Sequence, residues 1–226
     1  GDQRIRVASG QCLEQYGTSE AYLPVLDAVG RMCREHKEVI ETLRTHAPMW
    51  LLQMPSLLSA SDRELLGRGI SGATRERMLR EMGEAIEQLT LHHPLVLILE
   101  DLHWSDYSTL DLISYLARQT QHAHLLLIGT FRTAELMFSG HPLKGVKQEL
   151  LAKGQCEELP LADLNEQAVA RYLSLRFPHS KFPRELAALI HARTEGNPLF
   201  MVHATDYLAE EQLIVREDQS WKLGVE

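Results

Sequence analysis

The chain has no apolar run approaching the ~20 residues that span a bilayer, so no membrane-spanning helix is expected among its 226 residues. Nothing at its start reads as a signal peptide, and a cytoplasmic location is expected. Cysteine is scarce: Cys12, Cys33 and Cys156 lie far apart and are odd in number. That excludes a disulfide framework and leaves buried or incidental thiols of a reducing compartment. Histidine is not scarce, with 11 residues, yet no H-x-x-x-H or C-x-x-C spacing occurs. Metal binding through histidine or cysteine is therefore set aside. Basic charge is short, with 23 Lys and Arg against 31 Asp and Glu and a formal net charge of −8. Broad nucleic-acid binding needs a basic face and is not expected of this piece. A nucleotide site, built from backbone N–H groups and a few cations, stays open. The dipeptide Gly-Lys is also missing, so the phosphate-loop pattern G-x-x-x-x-G-K-S/T does not occur.

What is present centres on Leu95-Val-Leu-Ile-Leu-Glu100-Asp101-Leu-His-Trp104. Five apolar residues run without a break into two adjacent carboxylates. An unbroken apolar run of that length suits a strand buried on both faces in a parallel sheet. Its carboxyl end is where open α/β sheets bind ligands. Paired acids there suit a hydrated Mg²⁺ and a water beside a nucleotide phosphate. The same residues also suit a buried strand followed by an acidic turn.

Around this segment the elements alternate. Residues 5–12 read as a strand, 22–34 as a helix with Pro24 in its first turn, and 44–70 as short helices and turns punctuated by Pro48, Pro55, Gly67 and Gly69. Residues 73–91 form an amphipathic helix with Met78, Met82, Ala85 or Ile86, and Leu89 on its stripe. Ser105 or Asp106 caps a helix that runs to about 119. A second buried strand at 124–131 ends at Arg132, 142–151 is a helix, and 157–161 a short strand. This order predicts a parallel α/β sheet. After Pro160 the pattern turns helical, with starts at Asp163 or Asn165, at Pro183, and after the Thr194-Glu-Gly-Asn-Pro198 break. A small hairpin at 214–223, turning near Asp218-Gln219, closes it. Two domains follow, an α/β core at 1–161 and a helical subdomain at 162–226.

Four features together resemble the ATPase module of the STAND class of P-loop NTPases. They are the acid pair Glu100-Asp101, the run Asp101-Leu-His-Trp-Ser-Asp106, Thr130-Phe-Arg132, and Glu195-Gly-Asn-Pro-Leu-Phe200. More narrowly, they resemble the AAA-like ATPase domains of large bacterial transcriptional regulators and signalling proteins. Residues 10–17 are similar to the second strand and following loop of that family. The resemblance implies a P-loop NTPase core with a helical lid at its carboxyl end. It implies that Glu100 orders Mg²⁺, usually through water, and that Asp101 polarises the attacking water. Many relatives carry Asp at the first acid position, so the division of labour between the two stays open. Arg132 corresponds to the family's sensor arginine, which reads a γ-phosphate; an exposed strand-end arginine in a surface salt bridge is the plainer alternative. Pro198, after Asn197, corresponds to a proline near the adenine or the lid hinge. Gly196-Asn197-Pro198 is also ordinary punctuation between helices. His103 and Trp104 read as packing residues, and Asp106 as a helix cap.

In the family a phosphate loop and its strand precede the strand that matches residues 5–12. The resemblance therefore implies an incomplete core, with the first strand and phosphate loop absent. The missing strand is central in that sheet, so 157–161 would lack a lateral partner and the strand ending at Arg132 would show an open apolar edge. A shifted strand, a second copy of the chain or disorder would have to fill the gap. ATP and Mg²⁺ are implied for an intact parent protein, with neither bound in this fragment. The first reading is an ATP-binding and ATP-hydrolysing switch that couples ATP or ADP to other domains, a DNA-binding domain among them. The second is a non-enzymatic interaction scaffold on a degenerate NTPase fold. Direct nucleic-acid binding by the terminal hairpin is the weakest, since residues 206–226 hold Asp206, Glu210, Glu211, Glu217, Asp218 and Glu226 against Arg216 and Lys222.

Overall fold

Aliphatic runs build a three-stranded parallel sheet from β1 (Arg6–Gln11), β2 (Leu95–Glu100) and β3 (Leu125–Gly129), in the order β1-β2-β3. The structure, a computed structural model, describes residues 5–14, 20–63, 74–119, 123–217 and 219–224. It divides into two compact units, residues 1–158 and 159–226. The first carries the sheet and is α/β, as the strand and helix alternation predicts. Arg6 pairs with Leu95 and Leu95 with Leu125, so the three strands run in step and end at one edge.

One face of this sheet, with Ala8, Leu95, Leu97 and Leu99, is buried. It packs against α1 (Leu23–Glu35) and α4 (Arg75–Thr90) through Val25, Val29, Met82, Ile86 and Leu89. Each helix places its apolar residues on one stripe, which is why one face can bury them. Gly10 is where α1 comes closest: a Cβ there would meet the Pro24 carbonyl oxygen at 1.8 Å. Between α1 and α4 lie α2 (Lys37–His46) and α3 (Pro48–Leu52). Trp50, fully buried, donates its Nε1–H to the Met78 carbonyl at 2.8 Å. Buried Glu81 accepts the Met49 N–H at 2.9 Å and the Arg77 guanidinium at 2.8 Å. The expected short helices around Trp50 are therefore present; Gly67 and Gly69 lie outside the described residues. Helix α2 was not expected, because only Val39 and Leu43 bury fully along it, too few to set a period.

The other face carries Val7, Leu126 and Ile128, which are 60%, 56% and 40% exposed. Among the described residues no strand lies beside the outer edge of β3. Residues 157–161, expected as a strand, are irregular instead, with Leu159 78% and Leu161 97% exposed. A strand exists only by pairing, and among the described residues no neighbour offers that segment a ladder. Because Leu126 already sits largely in water, Leu126→Lys should change unfolding free energy by no more than about 0.5 kcal/mol. Leu97→Ala, on the buried face, should cost roughly 2–5 kcal/mol. Urea melts of the two variants check this contrast; equal losses would mean the Leu126 face is covered in solution.

After β2, α5 (Tyr107–Gln119) begins at Asp106, whose Oδ1 accepts the Thr109 N–H at 3.0 Å. After β3 come α6 (Thr133–Ser139), which the sequence pattern did not suggest, and α7 (Leu143–Ala152). The second unit holds α8 (Glu166–Arg176), α9 (Arg184–Thr194), α10 (Pro198–Glu210) and the hairpin β4 (Ile214–Glu217) and β5 (Ser220–Leu223). Residue 218 of the expected turn lies outside the described residues. The core of this unit is Val169, Leu173, Phe177, Leu186, Ile190, Met201 and Ile214. No helix among the described residues is long and apolar enough to cross a membrane.

Candidate functional site

Parallel strands in step bring their carboxyl ends together, and here that edge collects Gln11, Glu100, Asp101 and Thr130. Gln11 pairs in register with Glu100. Glu100 is exposed, and its carboxylate takes no hydrogen bond from the described residues. The next residue turns the chain sharply: Asp101 has φ 58° and ψ 43°, a left-handed conformation that aspartate tolerates better than most residues. The turn is fixed by the neighbouring strand end. The Asp101 N–H donates to Thr130 Oγ1 at 3.1 Å and the Leu102 N–H to the Thr130 carbonyl at 2.8 Å. Gln11 Nε2 donates to Asp101 Oδ2 at 2.9 Å. The Asp101 side chain is 22% exposed.

Arg132 follows β3 on the same edge. Its guanidinium lies 5.7 Å from the Trp104 ring centroid and 3.3 Å from Glu135 Oε1, with the side chain 65% exposed. An ion pair this exposed contributes little, so the arginine is cheap to recruit. Its backbone N–H donates to Nδ1 of His103 at 3.3 Å. His103 is fully buried at its side chain, with Nε2 3.5 Å from Glu135 Oε2 and 4.0 Å from Asp101 Oδ1. Its ring lies 4.5 Å from that of Trp104. Both residues pack, as the sequence suggests, but His103 also joins the acid turn to the strand end that carries Arg132. Asp106 caps α5 as expected, and its Oδ2 also accepts the Tyr22 N–H at 3.2 Å.

Asn197 and Pro198 belong to the second unit. There Asn197 Oδ1 accepts the N–H groups of Leu199 at 3.0 Å and Phe200 at 3.3 Å, and Pro198 fills the first turn of α10. Such capping is the work these two residue types do best at a helix start. The structure thus brings Glu100, Asp101 and Arg132 to one edge of the first unit, while Asn197 and Pro198 cap a helix of the other. Sequence reading gave no site role to Gln11, Glu135 or, beyond its place before Arg132, to Thr130, and took His103 as a packing residue. Gln11 and Thr130 could have been found by sliding the strand runs into register.

The edge is electronegative. Burial first, then the charges of Asp106 and Asp101, push the Cys12 thiol from its ordinary 9.0 up to about 12. Cys12 is therefore a neutral thiol and no nucleophile. The donors at the strand ends are carboxylate, amide and hydroxyl oxygens, the hard set that suits Mg²⁺ or Ca²⁺. Among the described residues no three His, Cys, Asp or Glu side chains are placed to cage a metal alone.

A family model described as AAA ATPase domain matches residues 2–128. That span begins before β1, reaches the next-to-last residue of β3 and includes both acids. No curated protein matches the chain.

Proposed function

The chain belongs to the AAA ATPase domain family, and from that membership we propose that it is the ATP-binding switch module of a larger bacterial transcriptional regulator or signalling protein. One observation carries this reading: two adjacent carboxylates end the middle strand of a parallel sheet, on the same edge as an exposed, loosely held arginine. Glu100 and Asp101 would hold Mg²⁺ through water. Bound there, the ion supplies charge neutralisation for the triphosphate.

The protein's own groups do the rest. Asp101, its Oδ2 anchored by Gln11, accepts a proton from the attacking water. Arg132 leaves Trp104 and Glu135 to donate paired hydrogen bonds to the γ-phosphate, and returns when that phosphate is lost. Slow hydrolysis would reset a signal, with the rest of the parent protein as its reader. The part of Asn197 and Pro198 in sensing nucleotide follows from the family resemblance alone. ATP, ADP and Mg²⁺ are the ligands proposed, and a second copy of the chain is a proposed partner.

The scaffold reading has one observation in its favour, the missing G-x-x-x-x-G-K-S/T pattern. Without that loop no run of N–H groups cradles the phosphates. Affinity of this chain for Mg–ATP is therefore expected near 1 mM, or about −4 kcal/mol. An amide NMR titration tests both readings. Shifts should gather at Gln11, Glu100, Asp101, Thr130 and Arg132, and vanish in the Glu100→Gln, Asp101→Asn double variant. Micromolar affinity would refute the weak-binding expectation. No response at several millimolar would refute the nucleotide reading and favour the scaffold.

A further inference from the structure

Among the described residues His103 is the histidine whose buried ring lies between the two halves of the acid and arginine edge, and its two nitrogens are not equivalent. Nδ1 accepts the Arg132 N–H at 3.3 Å, so it carries no proton. In the neutral ring the proton then sits on Nε2. Nε2 is buried and has no hydrogen-bond partner among the described residues. It faces two carboxylate oxygens just beyond bonding reach, Glu135 Oε2 at 3.5 Å and Asp101 Oδ1 at 4.0 Å. A buried donor left short of an acceptor costs stability unless another state of the protein completes the bond. Catalytic hydrogen bonds are often long before the ligand arrives and tighten with it.

We infer that His103 is a positioning residue that sets Asp101 against Arg132, an inference that rests on the nucleotide reading above. Asp101 is held on one side, where Gln11 Nε2 donates to Oδ2 at 2.9 Å, and on the other His103 Nε2–H faces Oδ1 at 4.0 Å, a bond left to close when the ligand arrives. Once that second bond closes, both oxygens are engaged and the carboxylate plane cannot rotate freely, which is what a group that orients a water needs. The Nδ1 arm meanwhile ties the same ring to the backbone of Arg132. A shift of that strand end as the guanidinium moves to a phosphate is thereby passed to Asp101 through one rigid ring. Glu135 sits on the path, since it accepts from Arg132 at 3.3 Å and faces His103 with its other oxygen.

The two arms can be cut separately. His103→Asn keeps an acceptor near Nδ1 and lacks the Nε2 donor; His103→Gln keeps a donor near Nε2 and lacks the Nδ1 acceptor; His103→Phe has neither. In the full chain, ring ¹⁵N shifts should show a bare Nδ1 and a protonated Nε2. Exchange of the Arg132 amide should quicken about tenfold in His103→Gln and His103→Phe and stay near normal in His103→Asn. Unchanged exchange at Leu97 and Leu99 marks an intact sheet. Under Mg–ATP, the affinity losses of His103→Asn and Asp101→Asn should fail to multiply by about fivefold. A protonated Nδ1, Arg132 exchange indifferent to His103→Phe, or losses that simply multiply would each overturn the role. If the unsubstituted chain gives no Mg–ATP response, the nucleotide reading falls, while tautomer and exchange still decide the positioning.

Discussion

Gly196→Ala is expected to unfold the helical unit while leaving the sheet unit folded. Gly196 has φ +77°, and a Cβ there would sit 2.1 Å from the Leu164 carbonyl oxygen. That neighbour is backbone, and it is held in place because the Leu164 N–H donates to the Gly196 carbonyl at 2.8 Å. Relief therefore requires breaking the pair. A left-handed non-glycine residue costs roughly 1–2 kcal/mol, overpacking about 1–3 kcal/mol and the lost hydrogen bond about 1 kcal/mol. The sum, on the order of 4 kcal/mol, rivals the stability of a unit this small, at roughly 0.05–0.15 kcal/mol per residue. Asn197→Ala, which removes only a cap, should cost about 1 kcal/mol. The indole NMR signals separate the units. Trp221 packs 5.1 Å from Phe177 in the second, and Trp50 is fully buried in the first. The Trp221 signal should collapse in Gly196→Ala with that of Trp50 unchanged. A Gly196→Ala protein that melts within 1 kcal/mol of the parent would show that the turn opens without loss.

This result bears on how the Gly-Asn-Pro segment is understood. Each residue has a local physical reason: glycine for the close approach of Leu164, asparagine to cap α10, proline to fill its first turn. Those reasons account for the segment without any ligand. A nucleotide role for Asn197 or Pro198 must therefore be shown as an effect on Mg–ATP affinity that exceeds their effect on the stability of the helical unit.

The parts of the fold that read clearly from sequence are those with local causes. The unbroken aliphatic run of β2 can be little else, and the second unit's helices start where Asn165, Pro183 and Asn197-Pro198 say they should. The expected strand at 157–161 failed because strand formation depends on a partner, and its sequence records none. Helix α2 escaped notice because charged residues surround its two fully buried positions. The site shows the same division. Glu100, Asp101 and Arg132 end apolar runs and so announce themselves. Gln11 and Thr130 acquire meaning only through strand register. His103 is one histidine among 11, and nothing local marks it as the ring that bridges two strand ends.

Alkaline pH should destabilise the chain through two buried thiols, one of them at the acid edge. Cys12 and Cys33 are 2% and 1% exposed. Burial, and for Cys12 the added charges of Asp106 and Asp101, raise the thiols from 9.0 to about 12 and about 11. For Cys33, Arg34 pulls slightly the other way. In the unfolded chain these thiols ionise from about pH 9, while the folded chain keeps them protonated. Above that pH the unfolded state binds fewer protons, so stability falls as pH rises, and it is insensitive to these groups below about pH 8. For Cys12 the loss approaches roughly 4 kcal/mol as pH nears its folded value, and for Cys33 roughly 3 kcal/mol. Cys12→Ala and Cys33→Ala should each lower stability at pH 7 by about 1 kcal/mol yet flatten the decline between pH 8 and 11. Urea melts across that range read the difference, and an undiminished decline in the double variant would sink the assignment. Asp101→Asn gives an internal control: removing one charge that raises the folded-state Cys12 thiol should leave the onset near pH 9 unchanged, make the total loss from Cys12 smaller and level it off at lower pH, and leave the Cys33 contribution untouched. A decline reduced in that way would show that the acid turn at the end of β2 acts on the thiol at the end of β1.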